Sequence, residues 1–190
     1  EATFDNVIVL INSGNAMELG FLNDEGVGAS LWIGDPGDVG TIGIVNILTG
    51  AVNPSGRLPD IYPYAVETTP SYYNFDTFEY TNSNDCFKNF ESHPAYLVEY
   101  QEGIYVGYRY YETRESYDYT TREGENLTGL SYNDVVQFPF GYGLSYTTFT
   151  QEMSDITSDG QNLNFTVTVT NTGSVSGKDV VEIYDNPPYT

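Results

Sequence analysis

Two carboxyl groups flanking a bond can cleave it, one raised in pKa to donate a proton and one ionised to attack or to activate water. The chain carries 27 Asp and Glu among 190 residues, so counting cannot select such a pair. Position narrows the field. In an open α/β sheet ligands sit beyond the carboxyl ends of the strands, which in this sequence means Asn12–Asn15 and Gly34–Gly40. Asp35 and Asp38 lie in the second loop, beside glycines. Either could meet a ligand hydroxyl, but the favoured reading is that they cap the helix beginning near Asp38 and complement its positive end. Glu18 reads as a solvated or capping charge and Glu102 as a partner for Arg109, which pairs with a carboxylate or stacks on a neighbouring ring. Neither these nor Glu25 is promoted to a catalytic role.

Other reactive side chains also read as structural. His93 precedes Pro94 and is the sole histidine, so a general base or metal ligand there would lack an orienting partner. Cys86 is the sole cysteine, which excludes an internal disulfide and leaves no zinc-like ligand set. Ser13 and Ser145 lack the Gly-x-Ser-x-Gly surroundings of an activated serine, and Gly14 alone is no dinucleotide fingerprint. Trp32 is expected in the core rather than as a platform for a ring-shaped ligand. Asn126 and Asn164 head glycosylation sequons, a pattern common by chance. We therefore assign no catalytic, substrate-binding or metal-binding residue, and no cofactor.

The formal charge of −21 includes only six basic residues, Arg57, Lys88, Arg109, Arg114, Arg122 and Lys178. Such a surface repels phosphate backbones and anionic lipids, which excludes nucleic acid as a partner. Neutral, hydroxyl-rich partners remain compatible. No run of about 18 apolar residues exists to span a membrane.

The elements that would position these loops alternate in type. Val7–Ile11 is an unbroken aliphatic run, the pattern of a parallel strand buried on both faces. Ala16–Leu22 predicts a short helix capped by Ser13 or Asn15, and Ala29–Ile33 the next strand. Thr41–Leu48 predicts a helix with Ile42, Val45 and Leu48 inward, ended by Gly50. Asn53–Gly56 predicts a turn, and Leu58–Ile61 a short edge strand because Pro59 cannot donate to a ladder. From Tyr62 to Tyr100 an aromatic, irregular loop is expected, then an extended Gly103–Tyr111. Phe138–Phe149 is the hinge between two patterns: Pro139, Gly141 and Gly143 forbid a helix, and the rings between them supply packing area. Beyond it Leu163, Phe165, Val167 and Val169 alternate with Asn164, Thr166, Thr168 and Thr170, as in a half-solvated antiparallel strand. Asn171–Ser174 turns, and Asp179–Tyr184 is the expected return strand.

Four ordered segments resemble glycoside hydrolase family 3. They are Val7-Ile8-Val9-Leu10-Ile11-Asn12-Ser13-Gly14-Asn15, Val52-Asn53-Pro54-Ser55-Gly56-Arg57-Leu58-Pro59, Glu102-Gly103-Ile104-Tyr105-Val106-Gly107-Tyr108-Arg109-Tyr110-Tyr111, and Pro139-Phe140-Gly141-Tyr142-Gly143-Leu144-Ser145-Tyr146-Thr147-Thr148-Phe149. Glu112–Asn133 resembles a family insertion of variable length, and Phe165–Tyr184 the start of the family's fibronectin-III-like domain. The resemblance implies an α/β fold: a three-layer α/β sandwich domain over residues 1–147, incomplete at its N-terminus, followed over residues 148–190 by the first strands of a β-sandwich of fibronectin-III or Ig type. In this family the loop after the second strand usually reads Pro-Gly followed by Gln or Glu, where this chain has Pro36-Gly37-Asp38.

The resemblance also implies a function. Family members use a nucleophilic Asp on a (β/α)8 barrel and an acid/base Glu upstream of the strand that matches Val7–Ile11. Neither position falls within these residues. The expectation is therefore a fragment of a retaining, exo-acting β-glucosidase-like hydrolase. Its partners would be a carbohydrate substrate and the barrel domain of the same polypeptide, and the fragment alone would be inactive. The competing reading is a non-catalytic carbohydrate-binding or surface-interaction module, suggested by the 18 tyrosines and the sandwich-like strands.

Overall fold

The structure, a computed structural model, describes residues 4–74, 78–79, 81, 96–115 and 129–185. Cys86, His93 and the Asn126 sequon lie outside the described residues. Two compact units form: one gathers Glu1–Val9, Asn15–Ser30 and Asp60–Phe140, the other Leu10–Gly14, Leu31–Pro59 and Gly141–Thr190.

The expected first strands are present as β1 (Ile8–Ile11) and β2 (Ala29–Trp32), which pair with each other. Gly28 N–H donates to Val7 O and Ile33 N–H to Ile11 O, at 3.0 and 2.9 Å, so the partners advance together and the strands run parallel. Burial on both faces is not found. Ile11 is buried, whereas Ile8 and Leu10 are exposed, because no described element covers this two-stranded pair. The predicted helix over Ala16–Leu22 is replaced by a 3₁₀ turn at Gly20–Asn23. Leu22 N–H closes back on Leu19 O at 2.9 Å and no side chain caps the turn, which tightens the backbone before an α-helical turn can form.

α1 spans Gly37–Leu48, starting earlier than the apolar spacing indicated, and Gly50 follows it at φ 75° with its N–H on Ile47 O. The inward stripe of Ile42, Val45 and Leu48 is instead exposed, Ile42 by 64%. Helical periodicity sets which residues share a face; burying that face takes a second surface, which no described element offers.

In the first unit the core is aromatic and aliphatic: Ile61, Tyr110, Tyr111, Val135 and Val136 are buried, with Tyr105, Tyr108, Tyr132 and Phe140 packed against them. The strand expected at Leu58–Ile61 falls at β3 (Tyr62–Pro63), antiparallel to β6 (Val136–Phe138). Within the irregular aromatic stretch β4 (Phe78–Glu79) pairs with β5 (Tyr96–Leu97). The predicted extended run Gly103–Tyr111 is a helix instead, α2 (Tyr108–Glu115). Gly103 and Gly107, both at φ 57°, turn the chain, and Gly107 O accepts the N–H groups of Tyr110 and Tyr111. Helical spacing then sends Tyr108 and Tyr111 into the core, overriding the β preference of a tyrosine-rich stretch. α3 (Tyr132–Val135) is opened by a capping box in which the Asp134 carboxylate accepts from Ser131 N–H and Oγ–H at 2.8 and 2.9 Å.

In the second unit β7 (Phe149–Met153) pairs antiparallel with β10 (Val167–Asn171), and β8 (Thr157–Ser158) with β9 (Leu163–Asn164). The single alternating strand expected across residues 163–170 is thus broken at Phe165–Thr166. Ser154 makes the break: its N–H donates to Thr166 O, and its Oγ accepts from Thr166 N–H, both at 2.9 Å. Asp179–Tyr184 forms no ladder and is held by side chains instead. Asn53–Gly56 forms no turn either, since the Asn53 side chain is taken up by distant partners.

Candidate functional site

The loops after β1 and β2 leave the carboxyl ends of those strands, the position at which open α/β sheets hold ligands. The Trp32 indole Nε1–H donates to Ser13 O at 3.0 Å, tying the first loop to the end of the second strand. Trp32 is half-buried, and its ring lies 3.3 Å from where a Cβ on Gly34 would stand; Gly34 also has φ 56°. This tryptophan is therefore a brace rather than an open ring platform. Gly37, at φ 62°, starts α1. Asp35 and Asp38 are both exposed, Asp38 within the first helical turn, and no side-chain hydrogen bond caps the helix. Asp38 thus complements the helix dipole through its charge alone.

The other sequence candidates are occupied structurally. Glu18 Oε1 accepts Val66 N–H at 2.9 Å and so serves the start of a 3₁₀ turn, Val66–Thr68. Glu102 and Arg109 form no ion pair; of the two readings for Arg109 the stacked one holds, its guanidinium lying over the Tyr108 ring 5.8 Å from the centroid. Ser145 Oγ–H donates to Asn53 Oδ1 at 3.0 Å and Oγ accepts from Thr147 N–H, so it is a framework hydroxyl. Asn164 sits exposed in β9.

Among the described residues, hydrogen bonds lower the pKa of three carboxyls. Hydrogen bonds from Ser131 hold the Asp134 carboxyl below the usual carboxylate range, and those from Asn162 and Gln161 do the same for Asp159. Asp179 is lowered by its hydrogen bond from Gln151 and by Arg57. Burial pushes the hydroxyls of Tyr62, Tyr111 and Tyr132 up. A general acid working near neutrality needs a carboxyl pushed upward, the reverse of what holds these aspartates ionised. Among the described residues no group of three His, Cys, Asp or Glu could hold a metal ion.

Asn53 and Arg57 entered the sequence reading only as turn, charge and motif residues, without their partners. Asn53 Oδ1 accepts from Ser145 Oγ–H and Tyr146 N–H while its Nδ2 donates to Ser176 O; Arg57 forms an ion pair with Asp179 at 2.7 Å. The cue available was two polar side chains placed among turn formers.

Comparison with known proteins decides the family. Residues 1–108 match the glycosyl hydrolase family 3 C-terminal domain. The chain belongs to glycosyl hydrolase family 3. Its curated relatives in the family include β-glucosidase B of Emericella nidulans, 37% identical over 180 residues and 94% of this chain, and a β-glucosidase of Ruminococcus albus, 32% identical over 97% of this chain. Among solved structures, β-glucosidase 3B from Thermotoga neapolitana in complex with glycerol superposes on 90% of the chain with a TM-score of 0.65 and 30% identity. This family 3 chain spans 18%, 16% and 19% of those three proteins respectively, less than a fifth of each. The solved family members are consistent with an α/β domain.

Proposed function

We propose that this chain is the scaffold and one cleft wall of a retaining, exo-acting β-glucosidase-like hydrolase that removes terminal β-linked sugars. The nucleophile and the acid/base carboxyl belong to other parts of the polypeptide. Residues 1–147 are the C-terminal portion of its three-layer α/β sandwich domain, and residues 148–190 open a fibronectin-III-like domain. The observation that carries this reading is 37% identity to a β-glucosidase along nearly the whole chain. One feature supports the division of labour. The stripe Val39, Ile42 and Val45 on α1 is exposed, as fits a face that further polypeptide, the barrel included, would cover.

The test compares the intact polypeptide with the isolated 190-residue chain on aryl β-glucosides and β-xylosides, following the anomer released by NMR. The intact protein is expected to hydrolyse one of them and release the β-anomer first, as a covalent glycosyl intermediate requires, while the isolated chain shows no turnover. Turnover by the isolated chain, inversion, or an intact protein inert on every aryl glycoside would overturn the proposal.

A further inference from the structure

Among the described residues the return segment after β10 forms no ladder, and side chains hold it, one from four residues upstream and the others from distant positions. Asn53 Nδ2–H donates to Ser176 O at 3.1 Å, and Asn171 Nδ2–H to Val175 O at 2.8 Å. The Arg57 guanidinium meets Asp179 Oδ1 at 2.7 Å, and Gln151 Nε2–H reaches Asp179 Oδ2 at 2.8 Å and Val180 O at 3.0 Å. This is the sole ion pair among the described residues, with side chains 16% and 10% exposed. Close approach is built in along the same path. A Cβ on Gly177 would stand 2.5 Å from Asn53 Nδ2, and one on Gly143 the same distance from Gly56 O. A Cβ on Gly141 would fall on the Glu182 carboxylate.

We propose that Val175–Glu182 is a releasable strap seated in a socket formed by Val52–Leu58 and closed by the Arg57–Asp179–Gln151 clasp. The strap opens as a unit when the clasp is broken, leaving the β7–β10 ladder paired. The argument is one of cooperativity. A ladder strand frays one hydrogen bond at a time, whereas a segment pinned through one enclosed carboxylate loses two supports together when that carboxylate is freed. Gln151 lies within β7 and Arg57 in the socket, so Asp179 joins the strap to both.

Lys178 supplies the readout, being exposed, central in the strap and one of only two lysines in the chain. Lysyl endopeptidase is applied to the intact polypeptide carrying this chain, and cleavage after Lys178 is timed by mass spectrometry. Arg57→Gln and Gln151→Ala leave the scissile bond and its neighbours untouched. Each is expected to raise the cleavage rate, Arg57→Gln by about tenfold, because cleavage tracks the open population when reclosing is fast. The double variant should fall short of the product of the two single effects, since both act through Asp179. Arg57→Lys, which keeps charge but not the guanidinium fork, should be intermediate. Hydrogen exchange of the β7 and β10 amides, unchanged in all variants, separates strap release from general unfolding. Cleavage at the wild-type rate in Arg57→Gln and Gln151→Ala, multiplicative effects in the double variant, or loss of β7–β10 protection alongside cleavage would overturn the proposal. Gln151→Ala, the milder change, keeps the test decisive if Arg57→Gln does not fold.

Discussion

Asn53→Ala is the perturbation that best tests how the second unit is held. Its side chain makes three hydrogen bonds, from Ser145 Oγ–H at 3.0 Å, from Tyr146 N–H at 2.8 Å and to Ser176 O at 3.1 Å. At about 1 kcal/mol net apiece the set contributes about 3 kcal/mol. Tyr146 is exposed, so water can reach its freed amide and return part of that. The expected cost is about 2 kcal/mol, or a roughly 30-fold rise in local opening. Asn53→Asp keeps the Oδ1 acceptor for Ser145 and Tyr146 but loses the donor to Ser176, so it should cost about half as much. Hydrogen exchange of the Tyr146 amide in the intact polypeptide reads this directly. Exchange accelerated less than about threefold by Asn53→Ala, or equally by both variants, would refute the assignment of Asn53 as the joint.

Three further outcomes follow from the same geometry. Gly143→Ala places a Cβ 2.5 Å from the Gly56 carbonyl, a backbone atom that cannot swing away, and should destabilise by about 1–3 kcal/mol; Gly14→Ala meets nothing within 4 Å and should be near neutral by comparison. Denaturant melts of the two variants that shift alike would contradict this. Asp179, held below its ordinary pKa by Gln151 and then Arg57, contributes stability that is full above the unfolded value of about pH 4 and is lost as pH falls through the folded value. Asp179→Asn should therefore be less stable than wild type at neutral pH, with the difference narrowing in acid; a gap constant across the acid limb would exclude the ionised clasp. Val135→Ala, at a side chain 2% exposed within the aromatic core, should lower stability by about 2 kcal/mol, checked by the melting temperature of the α2–α3 region.

Elements whose cause is local were legible in the sequence. The β1 and β2 runs, the stop of α1 at Gly50 and the turn at Gly141 each follow from composition or from a backbone position that only glycine occupies cheaply. Failures occurred where tertiary partners overrode a local pattern. Tyrosine alternation at Gly103–Tyr111 looked extended, yet two glycines at positive φ set up a helix that buries Tyr111. The alternating run at residues 163–170 was interrupted because Ser154 offers both backbone and hydroxyl to Thr166. A period-2 pattern records which side chains share a face, not how many ladder bonds a distant serine will take away.

The contacts around Asn53 and Arg57 were hidden for a related reason. Arg57 and Asp179 stand 122 positions apart, and Asn53 and Ser176 are separated by 123, so no period or spacing rule connects them. What the chain does display near each is a consequence of their contact: Gly143 beside Gly56 and Arg57, and Gly177 beside Asn53, occupy positions where any Cβ would collide. Glycines outside positive φ and outside turns are thus informative. At Gly143 and Gly177 the missing side chain marks the approach of a partner far away in sequence: the Gly56 carbonyl and Arg57 side chain lie against Gly143, and the Asn53 side chain against Gly177. The family motif carried by Val52–Leu58 and Gly141–Tyr146 accordingly encodes a joint between segments, with the carboxylate it recruits, Asp179, kept ionised to hold the strap.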